Sequence, residues 1–544
     1  MEENEYIIND FNSNSTQEQK KFCLSKKKII ILVFSIFVFL TLIIISLIII
    51  KNKNSNENSK SDDSENSNHS DDPDHSDNPD HSDEPDDPDS PYIGEINCIY
   101  SIDTANNTMI ILGKEFSKNS NFDLIIDGEI VNFTKEYKFS IIGEHKITFG
   151  LLEDISMDYM FKDLSLVVEI ELISKNNKYV NILSMISTFE NIENLKKLKI
   201  NGFHTNKVKS MHKLFYKSGL TELPLDQLNV ENVDNFSFLF ALSEVSEINI
   251  SKFDTKNVKD MSYMFYGCSS LVLINMNNLN TSKVTNMSHM FELCSSLSEI
   301  NLNDLKTNNV LDMSFMFKDC ISLRDLQINN FDTSSLTDIS FMFQSCSYLN
   351  VLNISNFDTK NVENMSHLFE FCTSLQSIDI SKYNTSKVKD MSFMFSNCYG
   401  LTYLDIKKLN TSKVEDMSYM FYYCSSLFEL DVSEFITNKV RNMSKMFSEC
   451  TNLKKIDVSK FNTEKCEDMS SMFEDLYQLE SINLKNFNSS HVKNMTKMFQ
   501  NCYKISSLDI SNFNTEKVQD ISFMFYQCDA LTSLDIKNFC YIKC

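Results

Sequence analysis

Apolar and polar positions recur along most of this chain with one long period. Phe265, Phe291, Phe317, Phe343, Phe369, Phe395, Phe421, Phe447, Phe473, Phe499 and Phe525 follow one another at 26-residue intervals without a slip. Phe215 and Phe240 extend the series upstream with a 25-residue step, and Phe161 and Phe189 stand as diverged copies. Each copy has two halves. In residues 414–439, Val414, Met417, Met420, Phe421 and Cys424 fall at i, i+3, i+6, i+7 and i+10, one face of a helix. Thr411 precedes them as an N-cap, and the same Thr recurs at 255, 281, 307, 333, 359, 385, 437, 463 and 515. The second half carries Leu427, Leu430, Val432 and Phe435, with Leu430 and Val432 on one face of a strand and Asp431 on the other.

One helix and one short strand cannot bury their apolar faces alone, but stacked coils cover one another. The pattern therefore predicts an α/β solenoid. It would be a leucine-rich-repeat-like right-handed coil with one short parallel strand and one helix per 26-residue repeat, over residues 155–544. Clear strand segments start at 195, 220, 245 and then from 271 through 531, with a weaker one at Val167-x-x-Ile170-x-Leu172. At a strand spacing of ~4.8 Å, about fifteen coils make a sheet roughly 70 Å long. About nine inward side chains per coil contribute ~1.5–3 kcal/mol apiece on full burial. Chain entropy cancels most of that, so the array is stable where the unit is not.

Residues 92–154 follow a different pattern. Asp127-Gly128 between Leu124–Ile126 and Ile130–Val131 signals a hairpin. Met109–Leu112 and Lys146–Phe149 add strand-like runs, and we expect a small β cap on the first edge of the array. Before it, Ile29–Ile50 is a run of 22 residues whose only polar members are Ser35, Thr41 and Ser46, which predicts a single transmembrane helix preceding the solenoid. Lys20, Lys21, Lys26, Lys27 and Lys28 place residues 1–28 in the cytosol as a short tail. The expected localisation is thus the cell membrane, single-pass, with the repeats extracellular. Residues 51–91 have dense like charge and almost no aliphatic side chains, and read as an acidic disordered stalk.

Charge changes the picture little. The formal net charge is -24, and residues 61–90 alone hold thirteen acidic residues and no Lys or Arg. The moderately acidic remainder gives no reason to expect a nucleic-acid partner.

The strand half matches the leucine-rich-repeat signature, except that Phe435 or Leu409 occupies the usual Asn/Cys position. With FDTKNVKDMSYMFYGCSSL at 253–271 and YNTSKVKDMSFMFSNCYGL at 383–401, the unit resembles the BspA-like surface proteins with mycoplasma-lipoprotein-type leucine-rich repeats. The resemblance covers about residues 155–544 and implies a cell-surface protein that binds host proteins, matrix or other cells. This chain departs from the lipoprotein members, since its one N-terminal cysteine, Cys23, precedes the apolar run.

Ten cysteines (268, 294, 320, 346, 372, 398, 424, 450, 502 and 528) share one repeat position. Helices ~8–10 Å apart would hold them beyond disulfide reach, so they read as small buried core residues. Cys540 and Cys544 are candidates for a local disulfide pinning the last coil. On the exposed strand face one column runs Asn249, Asn275, Asn301, Gln327 and Asn353, then Asp379, Asp405, Asp431, Asp457, Asn483, Asp509 and Asp535. Its aspartates Asp379, Asp405, Asp431, Asp457, Asp509 and Asp535 are the candidate binding residues; the alternative is a solvated face neutralised by Lys407, Lys455, Lys485 and Lys537. Tyr263, Phe315, Phe341, Phe393, Tyr419 and Phe523 form an interaction stripe if exposed, or pack between coils if the segment is not a regular helix.

Sequons at Asn106, Asn132, Asn286, Asn364 and Asn442 largely come with the repeat. His69, His75 and His81 in the stalk are weak metal candidates against a plain spacer. No catalytic motif, phosphate loop, cofactor site or structured metal motif stands out, so an enzyme is not expected. The function expected is a membrane-anchored recognition or adhesion protein binding a protein or glycan through an extended repeat face. A structural coat protein that self-associates laterally is the alternative.

Overall fold

The computed structural model describes residues 90–536 together with 538 and 539. The tail 1–28, the run Ile29–Ile50 and nearly all of the acidic stretch 51–91 lie outside the described residues, as do Cys540 and Cys544.

Nine strands open the described chain: β1 (Gly94–Ile102), β2 (Thr108–Ile110), β3 (Phe122–Ile126), β4 (Glu129–Val131), β5 (Glu136–Lys138), β6 (Gly143–Leu151), β7 (Ile155–Ser156), β8 (Val167–Ser174) and β9 (Val180–Ser184). After β10 (Lys197–Asn201) and β11 (Phe203–His204), strands shrink to two or three residues per coil, as in β12 (Glu247–Asn249), β13 (Leu273–Asn275) and β14 (Glu299–Asn301). The largest sheet has the order β10-β8-β1-β6-β3-β4. Within it β8 pairs parallel with β10 on one side and antiparallel with β1 on the other. β1 thereby occupies the edge of the first coil's strand. β3 and β4 meet across Asp127 and Gly128, whose φ angles of 49° and 88° are those of a two-residue hairpin turn.

The repeat itself differs from expectation in one half. Among the described residues there is no α-helix; the one helical element is the three-residue 3-10 turn Leu225–Gln227. The chain is a β-solenoid of about fifteen turns, not an α/β solenoid with a helix per repeat. Where a helix was expected over 414–424, the backbone makes consecutive tight turns. Met420 N donates to Met417 O, Tyr422 N to Tyr419 O, and Cys424 N to Phe421 O, each three residues back. The alternate amides leave the coil: those of Met417, Tyr419, Phe421 and Tyr423 donate to Asn442, Ser444, Met446 and Ser448 of the next. Two residues per coil, four apart, sit at positive φ, such as Tyr419 (57°) and Tyr423 (58°). Left-handed residues at that spacing interrupt any i→i−4 ladder. They cost about 1–2 kcal/mol each for non-glycine side chains, which the cross-coil hydrogen bonds offset.

The apolar spacing was read correctly as an inward face. Val414, Met417, Met420, Phe421, Cys424, Leu427, Leu430, Val432 and Phe435 are all buried. Phe161, Phe189, Phe215 and Phe240 begin a continuous stack of near-parallel rings that runs through Phe265 and Phe291 to Phe525 at one ring per coil. The recurrent Thr is not an N-cap. Thr437 is buried, its Oγ1 donating to Asn462 O (2.8 Å) and accepting from Asn462 N (2.8 Å), which ties one coil to the next.

The expected single-pass localisation at a membrane is also corrected. Among the described residues no helix is long and apolar enough to cross a membrane, and the segment that suggested one is not among them.

Candidate binding surface

The coils turn three corners, and most use the same local device: an Asn or Asp side chain accepts from the backbone two residues on, although Lys306 and Ile436 replace it at one corner and Ser210 at another. Asn410 Oδ1 accepts from Ser412 N (3.0 Å), Asp416 Oδ1 from Ser418 N (2.8 Å) and Asp431 Oδ1 from Ser433 N (3.0 Å). The third corner follows the strand, and its residue is the column proposed for binding.

That placement accounts for the Asn-to-Asp change. Asn249 Oδ1 accepts from Ser251 N (3.1 Å) and Oγ (2.7 Å), and Asp379 Oδ1 does the same with Ser381 (3.0 and 2.7 Å). Either side chain serves the turn, so the turn does not choose the charge. Asp457 and Asp509 bond Ser459 N and Ser511 N in the same way, and Asp405 accepts from Lys407 N (3.3 Å). Asp535 lies in the last described coil with its side chain exposed. The column is therefore brought together on one outward face. Lys407 Nζ crosses to Asp431 Oδ2 at 3.1 Å. Ser433, through hydroxyl and amide, and then Lys407 hold the Asp431 carboxyl down to about 2. Ser381 and Ser459 lower Asp379 and Asp457 likewise.

The aromatic stripe packs between coils. Phe238, Tyr263, His289, Phe315, Phe341, His367, Phe393 and Tyr419 form a second ladder, with centroids 4.1 Å apart at Tyr263–His289 and 4.4 Å at His367–Phe393. Lys445 Nζ continues the series over the Tyr419 ring at 5.1 Å. The ladder rings are half-buried; Phe523, beyond it, is exposed. Sequence reasoning missed that His289 and His367 belong to this ladder and have acid partners. His289 Nδ1 pairs with Glu292, and His367 Nδ1 pairs with Glu370 Oε2 at 2.6 Å. The 26-residue spacing of these histidines from the ring positions was the available signal.

Further along the same flank, Glu449 and Asp475 meet as two carboxyls on adjacent coils. Burial first, then Asp475 and Glu474, push Glu449 up to about 7, against the opposing pull of Lys445. The folded value lies above the unfolded one, so ionising Glu449 opposes folding. Its full stability is present below the ordinary glutamate value and is lost as pH rises to about 7. We expect Glu449→Gln to raise stability at pH 8 by about 1 kcal/mol after solvent screening, with little change at pH 4. Denaturant midpoints of both proteins across that range check this; equal pH dependence would refute it.

The column cysteines are free thiols among the described residues. The reason differs from the one expected. Coils at strand spacing, ~4.8 Å, bring successive cysteines within ordinary disulfide reach. Each thiol instead donates to a backbone carbonyl of the preceding coil, Cys424 Sγ to Phe395 O at 3.1 Å. Burial raises these thiols above their usual range, so little thiolate is present to react. Among the described residues no group of three or more His, Cys, Asp or Glu side chains could hold a metal ion. The sequon residues Asn286, Asn364 and Asn442 each spend Oδ1 on a corner turn.

A model of the family described as "Mycoplasma protein of unknown function, DUF285" matches seven overlapping segments: 155–273, 183–299, 261–352, 312–427, 337–456, 401–504 and 444–541. Together they cover the greater part of the chain. The protein belongs to the DUF285 family. Its tandem DUF285 copies and 26-residue solenoid agree with a BspA-like leucine-rich-repeat protein. No curated protein matches the sequence. Three solved structures are similar to this DUF285 protein at low score. A TLR13–ssRNA13 complex has 15% identity, covering 71% of this chain and 73% of that one, with TM-score 0.20. A leucine-rich repeat protein from Eubacterium ventriosum has 14% identity, 63% and 91% coverage, and TM-score 0.27. The Drosophila Toll–Spatzle complex has 14% identity, 63% and 47% coverage, and TM-score 0.20.

Proposed function

We propose that this DUF285 protein is a recognition protein that holds a macromolecular partner, protein or glycan, against the outward face of its strand columns. The observation that carries this reading is the contrast between columns. The inward residues, the corner Asn/Asp and the bridging Thr repeat from coil to coil because packing and turns demand them. The outward strand positions carry no such demand and vary along the array, although Glu recurs at 247, 299 and 429 and Ser at 377, 481, 507 and 533. The position of Tyr403 holds Leu273, Glu299, Asp325, Val351, Ser377, Glu429 and Lys455 in other coils. Several are large, apolar and exposed: Leu273 by 54%, Val351 by 72% and Tyr403 by 66%. Exposed apolar side chains grouped on one face favour contact with a partner. The lateral coat alternative has less support, because the stripe it would use spends its ring faces on internal stacking.

The acidic column joins this face as a proposed contact for basic or hydroxyl-bearing groups. Changing Asp379, Asp405, Asp431, Asp457, Asp509 and Asp535 to Asn keeps the corner turns, as Asn249 and Asn275 show. The full chain and this six-fold variant would be compared on immobilised panels of matrix proteins and glycans. We expect folding stability within about 0.5 kcal/mol per site and weaker capture. Capture unchanged by all six substitutions would remove the acidic column from the reading. Capture unchanged also by Tyr403→Ala and Val351→Ala would remove the strand face.

A further inference from the structure

Two adjoining hollows lie on the outward face in the middle of the array. One is lined by Arg324, Asn350, Gln376 and Thr402, one residue from each of four successive coils, beside Tyr348, Ser374 and Gly400. The other begins at the same Thr402 and is walled by Tyr403 and Phe428, with Asp405, Lys407 and Asp431 beneath. Sharing Thr402 makes them one trough that runs across successive coils.

Its chemistry is uneven in a useful way. The middle is neutral and hydrogen-bonding: Asn350 and Gln376 present exposed amides, and among the described residues neither side chain has a hydrogen-bond partner. An amide both donates and accepts, and the Thr402 hydroxyl, whose hydrogen goes to Gln376 O, still accepts. The ends are aromatic. Tyr348 is 56% exposed, with the Arg324 guanidinium 5.2 Å from its ring centroid, and Phe428 is 55% exposed beside Tyr403. Small residues keep the middle open: Gly400 approaches the preceding coil so closely that a Cβ would sit 2.7 Å from Thr373 O. Elsewhere the Gln376 position holds Ser298, Lys454, Glu480 or Ser506, and no other stretch repeats this aromatic–amide–aromatic order.

The backbone beneath is already used. Gly400 N donates to Thr373 O (3.0 Å), and Thr402 N and Oγ1 both donate to Gln376 O (3.1 and 3.3 Å). An extended peptide laid here would find no free strand edge to pair with, and would lose the main-chain hydrogen bonds that give such peptides their affinity. A chain of sugar rings needs no such edge. Its hydroxyls require groups that donate and accept, and its C–H faces require exposed aromatic rings. The ~4.8 Å coil spacing is close to the length of one sugar unit in an extended chain. Asp405, Glu429 and Asp431 at one end outnumber Lys407 there and disfavour an anionic chain.

We propose that this trough binds a neutral, extended oligosaccharide along the array, about one unit per coil. Tyr348 and the Tyr403–Phe428 pair cover its ends, and Asn350, Gln376 and Thr402 bond its hydroxyls. The proposal rests on the recognition reading above and names its ligand class.

The test is calorimetric titration of the full chain with neutral oligosaccharides of two to six units built from glucose, galactose, mannose or N-acetylglucosamine. Affinity for at least one series should rise with length and level off at about four or five units. Tyr403→Ala and Gln376→Ala should each weaken it about tenfold, Tyr403→Phe should retain most of it, and Thr532→Ala, in the same column near the far end, should leave it unchanged. These side chains are exposed, so an unchanged melting temperature accompanies each. Absence of binding to every series, or binding indifferent to Tyr403→Ala and Gln376→Ala, overturns the oligosaccharide assignment. If the chain still captures a protein through Val351 or the acidic column, the recognition reading survives that failure. If strand-face substitutions alter capture of nothing, both fall.

Discussion

Phe343→Ala is expected to cost about 3–5 kcal/mol, the range for emptying a buried Phe site, and to split the unfolding of the array into two steps. Phe343 is fully buried, stacked between Phe317 at 5.9 Å and Phe369 at 5.8 Å with interplanar angles of 4° and 2°. Removing the ring takes away its own burial and two aromatic contacts, each worth about 0.5–1.5 kcal/mol beyond area. The coils on either side cannot collapse into the gap, because their amides are tied across it: Phe343 N donates to Leu368 O, and Phe317 N to Met342 O. In a solenoid each coil contacts only its neighbours, so a weak interface in the middle uncouples the two sides. Urea unfolding followed by circular dichroism should show a shallower or biphasic transition. Phe525→Ala, in a partly exposed last position, should show neither a comparable loss nor a split. A single, unshifted transition for Phe343→Ala would mean that the stack contributes far less than its burial indicates.

The second large effect concerns a hydroxyl. Thr437→Val keeps shape and volume but removes the group that both accepts from Asn462 N and donates to Asn462 O. Thr437 is fully buried and Asn462 half-buried, so two backbone groups lose partners where water reaches them poorly. The expected loss is about 2–3 kcal/mol, since unsatisfied buried groups cost about 1–3 kcal/mol each and some water will enter. Thr437→Ser supplies the control. Ser489 stands at this position in its own coil, donating to Asn514 O (2.8 Å) and accepting from Asn514 N (2.7 Å). Thr437→Ser should therefore lose less than half as much. Equal losses for Val and Ser would assign the effect to the methyl and refute the hydrogen-bond argument.

Much of the candidate face was legible in the chain itself. The Asn/Asp column was placed on the outward strand face, where it lies, because a strand alternates with period two. Its structural duty was not seen, although Asp-x-Ser at 379–381, 431–433, 457–459 and 509–511 is the pattern of a side chain capping its own turn. The same pattern, as Asp-Met-Ser or Asn-Met-Ser at 390–392 and 442–444, marks the corner where a helix was expected. Asn397 and Asn501 at one of the left-handed positions, with Gly267 and Asp475, point the same way, since these residues tolerate positive φ best. The trough from Arg324 to Phe428 had no local signature. Its residues are 26 apart and meet only when coils stack.

The period of the phenylalanines, together with the apolar columns, was enough to establish a stacked array and its inward face, because burial depends on which residues are apolar and how they recur. Spacings of three are shared by a helix and by a series of three-residue corners, so apolar periodicity could not separate them. The choice was made by hydrogen bonds between residues about 25 apart, such as Tyr419 N to Ser444 O. Those bonds exist only once a second coil is in place. Stacking therefore selects turns over a helix, and with them sets the ring ladders, the free thiols and the trough on the outer face.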